Sequence, residues 1–272
     1  MDTIKIKNLE IFSNHGVLKE ENVLGQKFLI SADLSLSTRS AGTTDNLELS
    51  VNYAEICHDI KRIMETNTFR LIETAAEKIC EELLKKYSLI SRISLEIKKP
   101  WAPILLPLEY VSVNIERQWH KVYLSLGSNM GDRENYLNTA IEYLKKQDSC
   151  RNINVSDFIE TEPYGMTEQD SFINCCAELE TLLTPHELLE LTSSAEQNAK
   201  RKRLIHWGPR TLDVDIILYD DLIMHDSSLI IPHIDMANRE FVLRPLVQLN
   251  PYAMNPVLKK SAAEMLTDLS KS

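Results

Sequence analysis

The stretch Phe28-Leu29-Ile30-Ser31-Ala32-Asp33-Leu34-Ser35-Leu36 puts an apolar side chain at every second position from 28 to 36. Successive side chains of a strand point to opposite faces, so a period of two predicts a strand with one face buried. Ile4 and Ile6 alternate in the same way upstream. Downstream the period changes. Ile56, Ile60, Ile63 and Met64 fall on one face of a helix, and Ile72, Ala76, Ile79 and Leu83 on one face of another. Strand patterns return at Ile93-Ser94-Leu95-Glu96-Ile97 and at Val111-Ser112-Val113-Asn114-Ile115. The order is ββααββ. It predicts a four-stranded antiparallel sheet with two helices on one face, whose other face and edges are left as assembly surfaces.

The second half opens with Val122-Tyr123-Leu124-Ser125-Leu126 and a Gly127-Ser128-Asn129 turn, then a helix in which Leu137, Ala140, Ile141 and Leu144 share a face. Strands are expected at 153–158 and 173–179. Thr184, Pro185 and Glu187 form a helix start, with proline at the first helical position and a Thr-x-x-Glu capping box. A strand over 211–219 and a helix near 238–247 complete a βαββαβ order, which is a ferredoxin-like α+β sandwich. The junction Arg117-Gln118-Trp119-His120 lacks Gly, Ser and Pro, so a short linker is expected between a domain at 1–119 and another at 120–272.

Composition narrows the function classes. The chain has 272 residues, 43% of them hydrophobic and 26% charged, with 7 glycines and 10 prolines. That is the balance of a folded globular protein rather than a disordered or fibrous one. Its apolar runs are short, far below the roughly 20 residues that span a bilayer, and the first residues carry no signal-peptide pattern. Five cysteines without a Cys-x-x-Cys pair imply neither a disulfide framework nor a zinc site, so a cytoplasmic location is expected. A net charge of −10 argues against a nucleic-acid or membrane-surface binder. The excess is concentrated in residues 121–272, which hold 15 Lys and Arg against 23 Asp and Glu. Within that acidic half, Lys200, Arg201, Lys202, Arg203 and Arg210 cluster, which points to a focused anion site.

Trp207-Gly208-Pro209-Arg210-Thr211-Leu212-Asp213-Val214-Asp215 carries the strongest chemical signal. On a strand, Asp213 and Asp215 project to one face, roughly 7 Å apart, and repel each other unless a cation lies near both. Magnesium typically takes one or two carboxylates and completes its octahedron with water and phosphate oxygens. An isolated Asp-x-Asp is more often a solvated strand face, but the adjacent basic cluster reverses that preference. Divalent metal beside guanidinium groups suits a triphosphate in transfer. There is no Walker-type Gly-x-x-x-x-Gly-Lys-Ser/Thr loop. His233, Phe172, Asn174, Glu196 and Arg239 are the further candidates of this half.

In this order the second half resembles hydroxymethyl-dihydropterin pyrophosphokinases over residues 121–269. The resemblance lies in Leu126-Gly127-Ser128-Asn129-Met130-Gly131-Asp132, Glu160-Thr161-Glu162-Pro163-Tyr164-Gly165, Phe172-Ile173-Asn174, residues 207–215, and Pro232-His233 with Arg239 and Phe241. It implies transfer of the terminal pyrophosphoryl unit of ATP to a pterin hydroxymethyl oxygen, leaving AMP. It also implies two magnesium ions on Asp213 and Asp215, with Arg201 and Arg210 serving catalysis. Glu196, Arg201, Arg210, Ile216, His233 and Arg239 would contact ATP. Thr161, Phe172, Asn174, Trp207 and Phe241 would contact the pterin. Lys200 and His206 stand where the family often has glycine and arginine.

The first half carries His15-Gly16-Val17-Leu18-Lys19-Glu20-Glu21-Asn22, Leu24-Gly25-Gln26, residues 41–46, Asn52-Tyr53, Leu71-Ile72-Glu73-Thr74 and Lys98-Lys99-Pro100-Trp101. Together these resemble dihydroneopterin aldolases of the tunnelling fold across residues 1–118. A pterin presents two adjacent donors that a carboxylate accepts in fork geometry, so Glu73 is the expected anchor. Retro-aldol cleavage needs a base and an acid. The resemblance assigns that work to Lys99 with Tyr53 and side-chain positioning to Glu21, and it implies neither metal nor other cofactor. It also implies a homo-oligomer built through this domain. Strand alternation places Lys99 on the apolar side of Ile93, Leu95 and Ile97, and Lys98 on the other.

The two implied activities are consecutive, since the hydroxymethyl-dihydropterin released by the first is the acceptor of the second. The chain therefore reads as a bifunctional folate-biosynthesis enzyme acting on small pterins and ATP. Two other readings of the first domain remain open at this point: an epimerase of neopterin side chains, and a catalytically silent assembly scaffold.

Overall fold

A computed structural model describes residues 1–163, 170–199 and 211–271. The chain divides into two compact units, Met1–Trp119 and His120–Ser272.

The first unit comprises β1 (Asp2–Ser13), α1 (Lys19–Leu24), β2 (Gln26–Leu36), α2 (Arg39–Thr44), α3 (Tyr53–Thr66), α4 (Ile72–Lys86), β3 (Arg92–Lys99) and β4 (Val111–Gln118). The strands form one antiparallel sheet in the order β1-β2-β3-β4. The alternation of β2 decides its geometry. Phe28, Ile30, Ala32, Leu34 and Leu36 are all buried, and the register Ile30↔Ile97, Ala32↔Leu95, Leu34↔Ile93 sets a second apolar row beside them. Ile56, Ile60, Ile63 and Met64 of α3 and Ile79 and Leu83 of α4 close that face. The two long helices are pinned by the buried Asp59 of α3, which accepts from Lys86 Nζ and Tyr87 Oη at 2.7 Å each. A bulge interrupts β1 between Ile6 and Leu9, where Asn8 takes φ 52° and its N–H donates to Ser31 Oγ at 3.1 Å. The short helices α1 and α2 were not part of the sequence expectation.

The second unit runs β5 (His120–Ser128), α5 (Arg133–Lys145), β6 (Cys150–Val155), β7 (Ile159–Thr161), β8 (Phe172–Thr181), α6 (Pro185–Asn198) and β9 (Asp213–Tyr219). Two small hairpins follow, β10 (Met224–His225) with β11 (Ile230–Ile231) and β12 (Met254–Asn255) with β13 (Lys260–Ser261). Helix α7 (Glu240–Leu249) lies between the hairpins, and α8 (Ala262–Leu269) follows the second. The main sheet has the order β6-β8-β5-β9, with β7 also paired to β8, and every pairing is antiparallel. This is the α+β sandwich read from the sequence, with one extra layer. Val122, Leu124 and Leu126 pack with Leu137, Ala140 and Leu144 of α5 and Leu188 of α6. Tyr123 and Cys176 pack with Val242, Leu243 and Leu246 of α7 and Met265 of α8 on the other side.

Two local departures have physical causes. The strand expected over 153–158 is two strands. The ladder breaks at 156–158, where Ser156 Oγ accepts the Cys176 N–H at 3.0 Å and the Asp157 N–H turns to Gln248 Oε1 at 3.1 Å. A separate bulge at Asn152, φ 52°, shifts the register inside β6. In β9 the register slips after Tyr123↔Leu218, so that Leu124 faces Ile216 and Ile217 is skipped. The bulge lets Ile217 and Leu218 both join the α7 and α8 core, while Ile216 and Tyr219 join the other.

The fully buried Leu95 of β3 faces the helices and its neighbour Ser94 does not. Leu95→Ala is expected to cost about 2–5 kcal/mol, and Ser94→Ala less than about 0.5 kcal/mol. Urea midpoints of the two variants check this.

Candidate functional site

In the first unit the site is built at the end of β3. Lys98 turns toward Glu96, 3.6 Å away, and lies 4.6 Å from the centre of the Tyr110 ring. Lys99, on the opposite side, donates from Nζ to Glu21 Oε1 at 2.5 Å. Glu21 sits in the first turn of α1 and is buried. Burial would push its carboxyl up. The Lys99 ammonium, the Leu18 N–H at 3.1 Å and Gln26 Nε2 at 3.0 Å outweigh that and hold it below the usual carboxylate range.

The chain bends to make room for this carboxylate. Gly16 has φ +150°, and a Cβ there would fall 2.3 Å from Glu21 Cδ and Oε2. Only glycine allows so close an approach. Its N–H donates to Phe69 O at 2.9 Å, and Asn22 Nδ2 donates to Gly16 O at 2.9 Å. Tyr53 begins α3 and is 63% exposed, and Glu73 is exposed in the first turn of α4. The hydrogen-bond network thus joins Glu21 to Lys99 and includes neither Tyr53 nor Glu73. Gln26 and His15 are the members that sequence reasoning left without a role. The signal available for both was their place in the quoted loop segments.

His15 is fully buried against Phe28 and Phe69, with ring centroids 5.4 and 5.2 Å away. Its Nδ1 accepts from Phe69 N–H at 3.1 Å, which assigns the ring proton to Nε2. Burial, aided by the nearby Lys99 charge, lowers its pKa to about 4.

In the second unit, polar groups line up across three strands. Gly127 of β5 faces Asn174 of β8 on one side and Asp213 of β9 on the other, and Ser125 faces Asp215. Asn174 is buried and donates from Nδ2 to Thr161 Oγ1 at 2.7 Å. A Cβ at Gly127 would lie 2.7 Å from Asn174 Oδ1, so the missing side chain is what lets the amide lie across β5. Phe172 is half-buried at the start of β8, in register with Thr161.

Asp213 and Asp215 share a strand face. Arg239 Nη1 lies 3.8 Å and His233 Nε2 3.9 Å from Asp215 Oδ2. Arg239 is oriented by Asp235, which accepts from its Nε at 3.0 Å, and its guanidinium lies 5.7 Å from the Phe241 ring centre. His233 Nδ1 accepts from Asp235 N–H at 3.2 Å. Burial, reinforced by Arg239, lowers the His233 pKa to about 4, which keeps the ring neutral near pH 7. Glu196, buried on α6, accepts from Val214 N–H at 3.0 Å, between the two aspartates. Ile216 is buried in the α5 and α6 core.

Arg201, Trp207 and Arg210, with Lys200, Lys202, Arg203 and His206, lie outside the described residues. Among the described residues no three His, Cys, Asp or Glu side chains converge, and no helix is long and apolar enough to cross a membrane. Two carboxylates alone are a hard, incomplete donor set. They fit a magnesium ion that takes its other ligands from water and phosphate, and do not fit a closed zinc site.

Residues 123–251 match the family model of 7,8-dihydro-6-hydroxymethylpterin-pyrophosphokinase, and residues 4–116 match that of dihydroneopterin aldolase. The 2-amino-4-hydroxy-6-hydroxymethyldihydropteridine pyrophosphokinase of Bacillus subtilis (strain 168) is 43% identical over 127 residues, covering 47% of this chain and 76% of that protein. The chain belongs to the hydroxymethyl-dihydropterin pyrophosphokinase family. A dihydroneopterin aldolase domain precedes the pyrophosphokinase domain. The bifunctional protein FolKE of Lactococcus lactis subsp. lactis (strain IL1403) is 45% identical over 145 residues, 53% of this chain and 42% of that protein. The folic acid synthesis protein fol1 of Schizosaccharomyces pombe is 34% identical over 233 residues, 80% of this chain and 32% of that protein. The chain thus spans less than half the length of these two relatives.

The low pKa of His15 in the aldolase domain has a stability consequence. Between its ordinary value of 6.5 and about 4, the unfolded chain binds a proton that the folded domain excludes. Stability is therefore intact above about pH 6.5 and falls as the pH drops toward 4. From pH 7 to 4.5 the native chain should lose about 2 kcal/mol more than His15→Asn, as measured by urea unfolding at both pH values.

Proposed function

We propose that the chain catalyses two consecutive steps of folate biosynthesis. Residues 1–119 would cleave dihydroneopterin to hydroxymethyl-dihydropterin and glycolaldehyde, and residues 120–272 would pyrophosphorylate that product from ATP. One observation carries the reading. The two family matches lie end to end, and each spans the candidate residues of its half.

In the aldolase step the Glu73 carboxylate accepts two donors from the aminopyrimidinone edge of the pterin. A base removes the proton of the 2′-hydroxyl, and the C1′–C2′ bond breaks as glycolaldehyde leaves. The electron pair moves into the ring imine, and C1′ then receives a proton. Lys99 and Tyr53 are the acid–base pair of this reading, with Glu21 holding Lys99 Nζ in place and orienting the substrate side chain. Because Tyr53 is 63% exposed and outside the Glu21 and Lys99 hydrogen-bond network, a homo-oligomer in which a second copy brings its tyrosine to the site is part of the proposal.

In the pyrophosphokinase step Asn174, with Thr161 behind it, offers hydrogen bonds to the pterin, between Phe172, Trp207 and Phe241. Asp213 and Asp215 would hold two magnesium ions, which supply charge neutralisation to the triphosphate. Arg239 and neutral His233 lie where they can hold phosphate oxygens, and Arg201 and Arg210 would meet charge that grows as the pyrophosphoryl group transfers. Glu196 and Ile216 belong to the ATP side of the site. The partners are small pterins and ATP, in the cytoplasm, with neither nucleic acid nor membrane involved.

Asp213→Asn and Asp215→Asn keep the side-chain shape and lose the charge that holds the metal. Each is expected to reduce AMP formation at least a hundredfold while leaving glycolaldehyde release nearly intact. Dihydroneopterin, ATP and magnesium incubated with each variant, with products read by mass spectrometry, test this. Near-normal AMP formation would refute the assignment.

The aldolase assignment has a paired test. Lys99→Met should abolish glycolaldehyde release and preserve pterin binding, whereas Lys98→Met, on the other strand face, should leave the rate within about threefold. Equal damage from both would mean that the wrong lysine has been chosen.

A further inference from the structure

The Glu21 and Lys99 pair and the pterin anchor of the aldolase domain sit on different segments, and one buried side chain joins them. Glu21 follows the loop at 14–18, and Glu73 lies in α4, immediately after the segment at 67–71. These two segments touch through a reciprocal pair of hydrogen bonds: Gly16 N–H donates to Phe69 O at 2.9 Å, and Phe69 N–H donates to His15 Nδ1 at 3.1 Å. Phe69 stands outside any strand, so the imidazole is the protein acceptor of its amide. Volume alone does not explain a histidine at this place. A leucine would fill the space between Phe28 and Phe69 without desolvating a polar ring, so the acceptor is the feature that an apolar residue cannot supply.

We propose that His15 is a positioning residue of the aldolase site, whose Nδ1 fixes the start of the Glu73 helix relative to the Glu21 and Lys99 pair. The inference rests on the aldolase reading given above. It deepens that reading by naming the contact that sets the distance between where the pterin is held and where its side chain is cleaved. Gly16 is part of the same device. It carries the second hydrogen bond, and its missing side chain is the space that the Glu21 carboxylate occupies. The low basicity of His15 agrees with the role, because a protonated ring would have no acceptor left for Phe69.

Misalignment of a bound substrate affects the rate more than the binding. His15→Leu in the full chain should therefore lower aldolase kcat, counted per site that binds neopterin by calorimetry, about a hundredfold. KM should stay within about threefold. Asparagine places its Oδ1 at the same bond count from Cα as Nδ1, so His15→Asn should recover the rate to within about tenfold of the native chain. Hydrogen exchange at Phe69 should speed up in His15→Leu and return toward the native rate in His15→Asn. Counting per binding site removes the effect of a merely less stable domain, and unchanged AMP formation from supplied hydroxymethyl-dihydropterin shows that the chain is otherwise intact. A per-site kcat of His15→Leu within threefold of native, or an Asn variant no better than Leu, overturns the proposal alone. A native chain that binds neopterin and cleaves no dihydroneopterin overturns the proposal together with the aldolase reading.

Discussion

A carboxylate taken out of water must find a counter-charge or a set of donors, or else take up a proton. Much of the aldolase domain's local structure answers that demand at Glu21. Lys99 supplies the charge from the end of β3, Gln26 supplies a donor from the start of β2, and the Leu18 N–H supplies another from the head of α1. Three elements are thereby drawn to one point. The backbone at Gly16 takes a conformation closed to side chains in order to pass that point. The same pairing holds Lys99, whose long side chain would otherwise reach solvent, at a partly buried position.

The pyrophosphokinase domain meets a related constraint from the opposite direction. Asp213 and Asp215 lie on β9, an edge strand of the main sheet, with their charges on one face. An edge strand presents unpaired backbone groups and is the least fixed part of a sheet. Glu196 of α6 accepts the Val214 N–H, so the residue between the two aspartates is tied down from outside the sheet. On the carboxylate side, Arg239 is itself held by Asp235, leaving its Nη1 toward Asp215. Arg239 Nη1 and His233 Nε2 thus stand within 4 Å of Asp215 Oδ2, on the strand face that Asp215 shares with Asp213.

How much of this was legible beforehand depends on the range of each interaction. The alternation from Phe28 to Leu36 and the helical faces of α3, α4 and α5 depend only on neighbouring positions, so they appear in the sequence unaltered. So does the opposition of Lys98 and Lys99, which is strand parity alone. The break between β6 and β7 was hidden because it turns on Ser156 and Asp157 bonding to Cys176 and Gln248, partners that no periodicity reports. Helix α8 begins with a Ser261 and Glu264 capping box, a signal the sequence does carry. His15 and Gln26 were quoted within motifs, yet their roles depend on Phe69 and Glu21 across the fold. A one-dimensional pattern carries no such contact.

The acidity of residues 120–272 looks at odds with the proposed triphosphate substrate, and distance resolves the conflict. Opposed charges in water are screened beyond roughly 8 Å at physiological ionic strength. The surface acids that set the net charge, such as Glu142 on the exposed side of α5, act through solvent, and Glu142 is already paired with Lys145 at 2.9 Å. Arg239 and His233 are partly buried, and they stand within 4 Å of the carboxylate they face. What a phosphate meets is therefore set by the few groups that line the site and by any metal held there. A negative surround also limits how many anions other than a metal-bound one will settle in the same place. On the proposed reading, a triphosphate that arrives with its own counter-ions would therefore meet less repulsion there than a bare anion.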